Sequence, residues 1–307
     1  VLHDISVTSQ NYGEAWVFLG GNITVDGNVE ISASGPYSSV DPSSSILSLD
    51  AVTFDHANLS VFESGSDTAA VLNYQHLDGV IDDLELQAQF GGSIDLVVDP
   101  QENQIRMSGD ILVGANGYAS ALFSADIDGS SLHSITVVAH DDAHSFVNLS
   151  GNITVDGSIE IADYYSGNAS LNLESVHFEN TDLNLLNGSF NYSFSTGNIN
   201  NFSEDVLGSS DFGASPVERR GYFETEINGN ITLETIYNGS LNLTLLDVNS
   251  LGSDINLTSH QDSFISADIQ SLVGHVDNLV VAAGSGYKYD MSSYSNVRSE
   301  EDTSELQ

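Results

Sequence analysis

Strict apolar/polar alternation in short runs, a long internal duplication and a finer period of about 24 residues together predict an all-β chain coiled as a parallel β-solenoid. A tandem array of antiparallel β-sandwiches is the alternative architecture. The alternation is plain in Ala121 to Ala125 followed by Ser134 to Val138, and again in Leu241 to Leu245 followed by Asp254 to Leu257. Period-2 patterning of this kind marks half-buried strands, and the Gly, Ser, Asn and Asp between the runs supply corners. No helical periodicity persists anywhere along the chain.

The duplication is literal at its centre. Gly21-Asn-Ile-Thr-Val-Asp-Gly27 recurs letter for letter from Gly151 to Gly157, and the match runs back without gaps to Leu2-His3 and Leu132-His133. Leu47 to Phe54 answers to Leu171 to Phe178 after a six-residue length difference near Pro36 to Ser45. The domain reading is therefore a single repetitive solenoid over 1–297, with copies of roughly 1–125 and 131–257. Beneath it lies an acid set among small or apolar neighbours: Asp50, Asp78, Asp126, Glu174, Asp247 and Asp268. Successive members stand close to one, two, two, three and one periods apart. Extended over the chain, that period gives about twelve coils and a rod on the order of 55 Å at about 4.8 Å per coil.

Asp26-Gly27 tests the choice between coil and hairpin, because Asp-Gly between alternating residues is the usual hairpin signal. A two-residue hairpin would mix apolar with polar residues on both faces. Ile23, Val25, Val29 and Ile31 instead keep one parity throughout, so the chain is expected to run on through a bend.

Composition bounds the function. Forty-four acidic residues against five basic ones give a net charge of -39, yet apolar residues make up 40% of the chain, enough for a core. The carboxylate excess repels nucleic acid and anionic lipid, and salt or bound cations would relieve its self-repulsion. Cysteine is absent, which excludes disulfides and thiolate chemistry. No run is long enough to span a membrane as a helix. Arg298 to Gln307 resembles the translation of a sequencing-library adapter and reads as a non-native tail that packs against nothing.

Asp4 to Thr8, Ala15 to Leu19 and Gly21 to Ile31, with their second copies, resemble in style the repeats of filamentous-haemagglutinin and autotransporter-type adhesins. The resemblance covers most of 1–297. It implies a right-handed β-helix exported to the cell surface as part of a larger chain, with host-surface or matrix glycans or proteins as partners. No secretion domain of that family is visible, so its export route does not carry over.

Candidate chemistry is sparse, and no enzyme is expected. His140-Asp-Asp-Ala-His144 has metal-site composition, but histidines four apart face together only on a helix. Asp82-Asp83 and Glu300-Glu301 are neighbours on opposite faces of a strand, so neither forms an acid–base pair. Solenoids also host polysaccharide-active enzymes and carbohydrate-binding modules, which are the competing class. Such lyases need a basic residue, and the chain offers only Arg106, Arg219, Arg220, Lys288 and Arg298; of these, Arg219-Arg220 closes an irregular stretch from Ser203 that reads as a long loop. Twelve Asn-x-Ser/Thr sequons occur, and the favoured reading is hydrogen-bonded asparagine ladders between coils rather than glycan acceptors. The period brings Asp50 and Asp78, and likewise Asp247 and Asp268, about one coil apart, where ionised acids repel; these four are the candidate calcium ligands.

Overall fold

Along the first strand, Ile5–Gln10, side chains alternate between core and solvent, and every strand that stacks beneath it repeats that parity. In the computed structural model described here, Ile5 is in parallel register with Val29, Val29 with Leu59, Leu59 with Leu84, Leu84 with Ile111, and Ile111 with Ile135. The structure describes residues 1–11, 13–35, 43–65, 68–98, 103–165, 167–207, 217–222, 224–227, 231–236, 240–246, 249–259, 264–270, 273–283 and 295–297; beyond residue 188 this is chiefly the backbone. The tail from Arg298 lies outside them.

The chain is an all-β parallel solenoid of about seven turns among the described residues. It falls into two units, Val1–Thr154 with Ala162–Glu174, and Val155–Ile161 with Ser175–Gln307. In the first unit the core is built from columns. The strand beginning at Ile5 and those stacked beneath it contribute three inward positions each. The middle one holds Val7, Ile31, Val61, Leu86, Val113 and Val137, all buried, and the third holds Ser9, Ala33, Glu63, Ala88, Ala115 and Ala139. Large residues fill the interior and small ones leave room where the chain turns. Burying each Val, Leu or Ile this way contributes about 1.5–3 kcal/mol.

That turn recurs coil after coil. Asn11, Gly35, Gly65, Phe90, Gly117, Asp141 and Tyr165 stand one above another, linked by N–H donors to the carbonyls of Ser34, Ser64, Gln89, Asn116, His140 and Tyr164 at 2.9–3.2 Å. At Asp141 and Asp142 both φ values are positive, 54° and 59°, and the Ala143 N–H closes the turn on the His140 carbonyl at 3.2 Å. Two left-handed residues inside a four-residue closure are the signature of a type I′ turn. Here the turn leads to the next face of the same coil, since the strand before it, Ser130–His140, pairs with Asp110–Asn116, whereas the one after it, His144–Tyr164, pairs with Ser120–Asp126.

The Asp26-Gly27 bend behaves as the parity argument expects. Val25 pairs with Phe54 and Asn28 with Asn58, both parallel, so the chain passes through the bend into the next face without reversing. Val25, Val29 and Ile31 are buried. Coil length, however, is not constant. At the entry to this face the sequence separation between stacked residues is 24 from Asp4 to Asn28, 30 from Asn28 to Asn58, 27 from Asp83 to Asp110 and 24 from Asp110 to Ser134. The second of these steps is lengthened between Ser34 and Ser44, since Gln10 opposite Ser34 still keeps the shorter offset and Glu14 opposite Ser44 already has the longer one.

In the second unit the same logic holds at the backbone level. Ile231 pairs with Ile255, Ser240 with Phe264 and Asp254 with Asn278, all parallel and all at the offset that separates Ile5 from Val29. The stretch from Ser203 to Arg220 departs from the loop reading at its two ends, while 208–216 lie outside the described residues. Phe202–Leu207 pairs with Ile231–Ile236, and Arg219 and Arg220 lie within the strand Val217–Tyr222, opposite Leu243 and Thr244. Apolar positions there are too few to show alternation, yet a parallel neighbour supplies the backbone partners a strand needs. Among the described residues no helix is long and apolar enough to cross a membrane.

Candidate functional site

The register does not pair Asp50 with Asp78 as the period suggested. Asp50 lies opposite Gln75, while Asp78 lies between Thr53 and Gln104. Coil length is the reason: the in-register partner of Asp78 is Thr53, three positions beyond Asp50. Asp78 accepts the N–H of Gly79 at 2.7 Å, and Asp50 is met by the His76 ring at 3.4 Å. Asp268 is in register with Thr244, and Asp247 lies outside the described residues. Asp126 pairs with Ser150. Among the described residues no three His, Asp or Glu side chains converge as a metal site would need.

The carboxylates that do stack belong to another corner. Asp4, Asn28, Asn58, Asp83, Asp110 and Ser134 share one column, one residue before the Ile5 column. Asp4 accepts both the backbone and the side-chain N–H of Asn28, at 2.9 and 3.2 Å, and Asn28 in turn accepts from the Asn58 amide at 3.0 Å. Asp83 accepts the N–H of Asp110 at 2.9 Å, and Asp110 accepts the Ser134 hydroxyl at 2.7 Å. The hydrogen bonds Asp83 and Asp110 accept offset part of the repulsion between them. Asp128 does the same for Asn152, and those two hydrogen bonds, backbone first, hold its pKa below the ordinary 3.8.

These ladders engage the sequons. Asn58, Asn148, Asn152 and Asn201 each donate a side-chain amide hydrogen, to Asn28, Ser124, Asp128 and Asp182 at 2.8–3.3 Å. Asparagine stands on asparagine at Asn58, and the other three reach a serine or an aspartate of the neighbouring coil.

Three corners carry a histidine on an aspartate: His3 on Asp26 at 2.5 Å, His56 on Asp82 at 2.8 Å and His76 on Asp50 at 3.4 Å. Partial burial is the largest single influence on Asp82 and pushes its pKa up. The Ser108 hydroxyl and His56 together outweigh it, leaving the group below 3.8. In His140-Asp-Asp-Ala-His144 the two aspartates form the type I′ turn, and the His140 ring stacks on Tyr164 at 4.4 Å and 8°. The histidines flank a turn instead of sharing a helix face.

Two acids that sequence reading passed over face inward. Glu63 occupies the small third position of its column and is 2% exposed. Asp163 is half-buried beside Gly167, whose missing Cβ leaves room for its carboxylate. Burial pushes the Asp163 pKa up from 3.8 to about 6, against the opposing pull of the Gly167 N–H and of His144. Both positions were marked by parity, Glu63 with Leu59 and Val61, Asp163 with Ile159 and Ile161.

With a raised folded pKa, the contribution of Asp163 is fully present below pH 3.8 and is lost as pH rises through about 6. A two-unit shift corresponds to at most about 3 kcal/mol, and water access to a half-buried side chain reduces it to about 1–2 kcal/mol. Asp163→Asn is therefore expected to raise stability by that amount at pH 7.5 and to change it little at pH 3.5. Urea denaturation at the two pH values reads the difference.

Outward positions carry the remaining unusual chemistry. Trp16 and Phe18 project from the same face of the strand Glu14–Val25 and are 71% and 72% exposed. Gly20 leaves room for the Phe18 ring, and the neighbouring coils place Ile46 and Val71 in line with Trp16. Alternation identified the strand but not which face would stay open. No protein-family model matches the chain, and searches of the curated proteins and of the solved structures return no significant match.

Proposed function

We propose that this chain is a structural and adhesive segment of a larger exported cell-surface protein, without catalysis of its own. One observation carries the reading. Polar side chains are engaged from coil to coil along the corners, whereas large apolar ones, Trp16 and Phe18, stand in solvent on a parallel sheet. Exposed aromatic residues on a rigid face are contact residues, because they bring large area at low conformational cost. A stack of hydrogen-bonded coils holds that face at a fixed position, as a stalk or adhesive surface requires.

Beads coated with the chain are expected to be retained on extracellular matrix, and Trp16→Ser/Phe18→Ser beads to be retained at least about tenfold less. Both side chains are exposed, so the fold should tolerate the change. No retention of the parent, or release of new reducing ends from a polysaccharide panel, would overturn the proposal.

A further inference from the structure

The stacked type I′ corner of the first unit carries a second set of exposed rings. Phe90, Tyr118 and Tyr165 are 48%, 70% and 80% exposed and sit at turn positions of three different coils. The hydrogen-bond ladder sets their order: Phe90 stacks on Gly117, the partner of Tyr118 in its turn; Gly117 stacks on Asp141, and Asp141 on Tyr165. Gly117 leaves its site open to the Phe90 ring, whose Cδ1 would lie 3.4 Å from a Cβ there. Along the corner the sequence of groups is therefore ring, ring, the exposed carboxylates Asp141 and Asp142, then ring. The rise is about 4.8 Å per coil, so Phe90 to Tyr165 spans about 14 Å.

One residue before each turn runs a parallel column of hydrogen-bonding groups, Gln89, Asn116, His140 and Tyr164, with Gln89 in register with Asn116 and Asn116 with His140. His140 and Tyr164 are already stacked at 4.4 Å, so the column is ordered where it passes the carboxylates.

We infer that this corner binds an extended neutral polysaccharide laid along the coil axis. The inference rests on the adhesive reading and adds to the Trp16 and Phe18 face a second site with a stated ligand class. A spacing of one coil is comparable with the length of one pyranose residue in an extended chain. Aromatic rings stack on the C–H faces of pyranoses, whereas amides and carboxylates take their hydroxyls. Asp141 and Asp142, in a chain of net charge -39, turn away an acidic polymer, which selects uncharged sugars.

The test is titration calorimetry of the full chain with cellohexaose, chitohexaose and mannohexaose, and with a hyaluronan hexasaccharide as the acidic probe. At least one neutral hexasaccharide is expected to bind saturably and the acidic one not to bind. Tyr118→Ala and Tyr165→Ala should each weaken the neutral ligand about tenfold, one stacking contact apiece, with unchanged circular dichroism. No neutral binding, unchanged affinity in both variants, or equal affinity for hyaluronan would overturn the inference. Bead retention separates it from the broader proposal. If Phe90→Ala/Tyr118→Ala/Tyr165→Ala beads stay on matrix as the parent does while no hexasaccharide binds, the corner site falls and the adhesive reading stands. If the parent binds a hexasaccharide but is not retained, the adhesive reading falls and the corner site stands.

Discussion

Gly79→Ala is expected to destabilise the first unit by at least about 3 kcal/mol, through backbone overlap that no side-chain motion relieves. Gly79 has φ +105°, outside the range an L side chain adopts readily, and a Cβ there would overlap the carbonyl oxygen of Phe54 on the preceding coil. Its backbone is held on both sides, by Phe54 above and Ile105 below, and its N–H bonds Asp78. Phe54 is itself buried, so the corner cannot retreat without opening the core. Gly114→Ala serves as the matched control. A Cβ at Gly114 meets nothing within 4 Å, so that change should stay within about 0.5–1 kcal/mol of the parent. Urea denaturation followed by circular dichroism distinguishes the two; equal midpoints would show that the coil spacing yields more readily than its hydrogen bonds imply.

Glu63→Ala is expected to cost about 2–4 kcal/mol, since it strands one buried and one partly buried backbone donor. The Glu63 carboxylate accepts the Ala70 N–H at 3.1 Å on one oxygen, and on the other the Ser93 N–H at 3.1 Å and the Thr68 hydroxyl at 3.3 Å. It thereby ties its own strand to the strands that follow at the turn and on the next coil. Burial raises its pKa above 4.5, against the pull of the Ala70 and Ser93 amides and of Thr68. Its contribution is thus largest below 4.5 and declines as pH rises through the folded value, so the deficit of Glu63→Ala should be greater at pH 4 than at pH 7.5. Glu63→Gln keeps one good acceptor but turns an amide donor toward a backbone N–H, and should fall between parent and Glu63→Ala. Equal stability of all three proteins would mean that water serves the Ala70 and Ser93 amides instead.

Much of this architecture was legible in the residues. The single parity of Ile23, Val25, Val29 and Ile31 identified a continuing coil at Asp26-Gly27, where turn chemistry alone pointed to a hairpin. The asparagine ladders were readable from the recurrence of Asn among strand-entry residues, and Asn58 on Asn28 realises one. Glu63 and Asp163 were readable in principle, because each continues an apolar series at inward parity. Asp50 and Asp78 do not stand in register, for a definite reason. A constant period was applied to coils of unequal length, and a slip of three positions, the distance from Asp50 to Thr53, moves a side chain to a different place on the corner.

What the sequence determined by itself is therefore local: strand character, inward parity and the absence of reversal at Asp26-Gly27. These depend on near neighbours along the chain, where alternation is decisive. The tertiary structure decided register, because parallel pairing joins residues a whole coil apart and insertions at the corners change that distance without disturbing the alternation. Register in turn decided which side chains meet. It set Asp83 over Asp110 rather than Asp50 over Asp78, and it brought Phe90, Tyr118 and Tyr165 along one edge although three coils of chain lie between the first and the last.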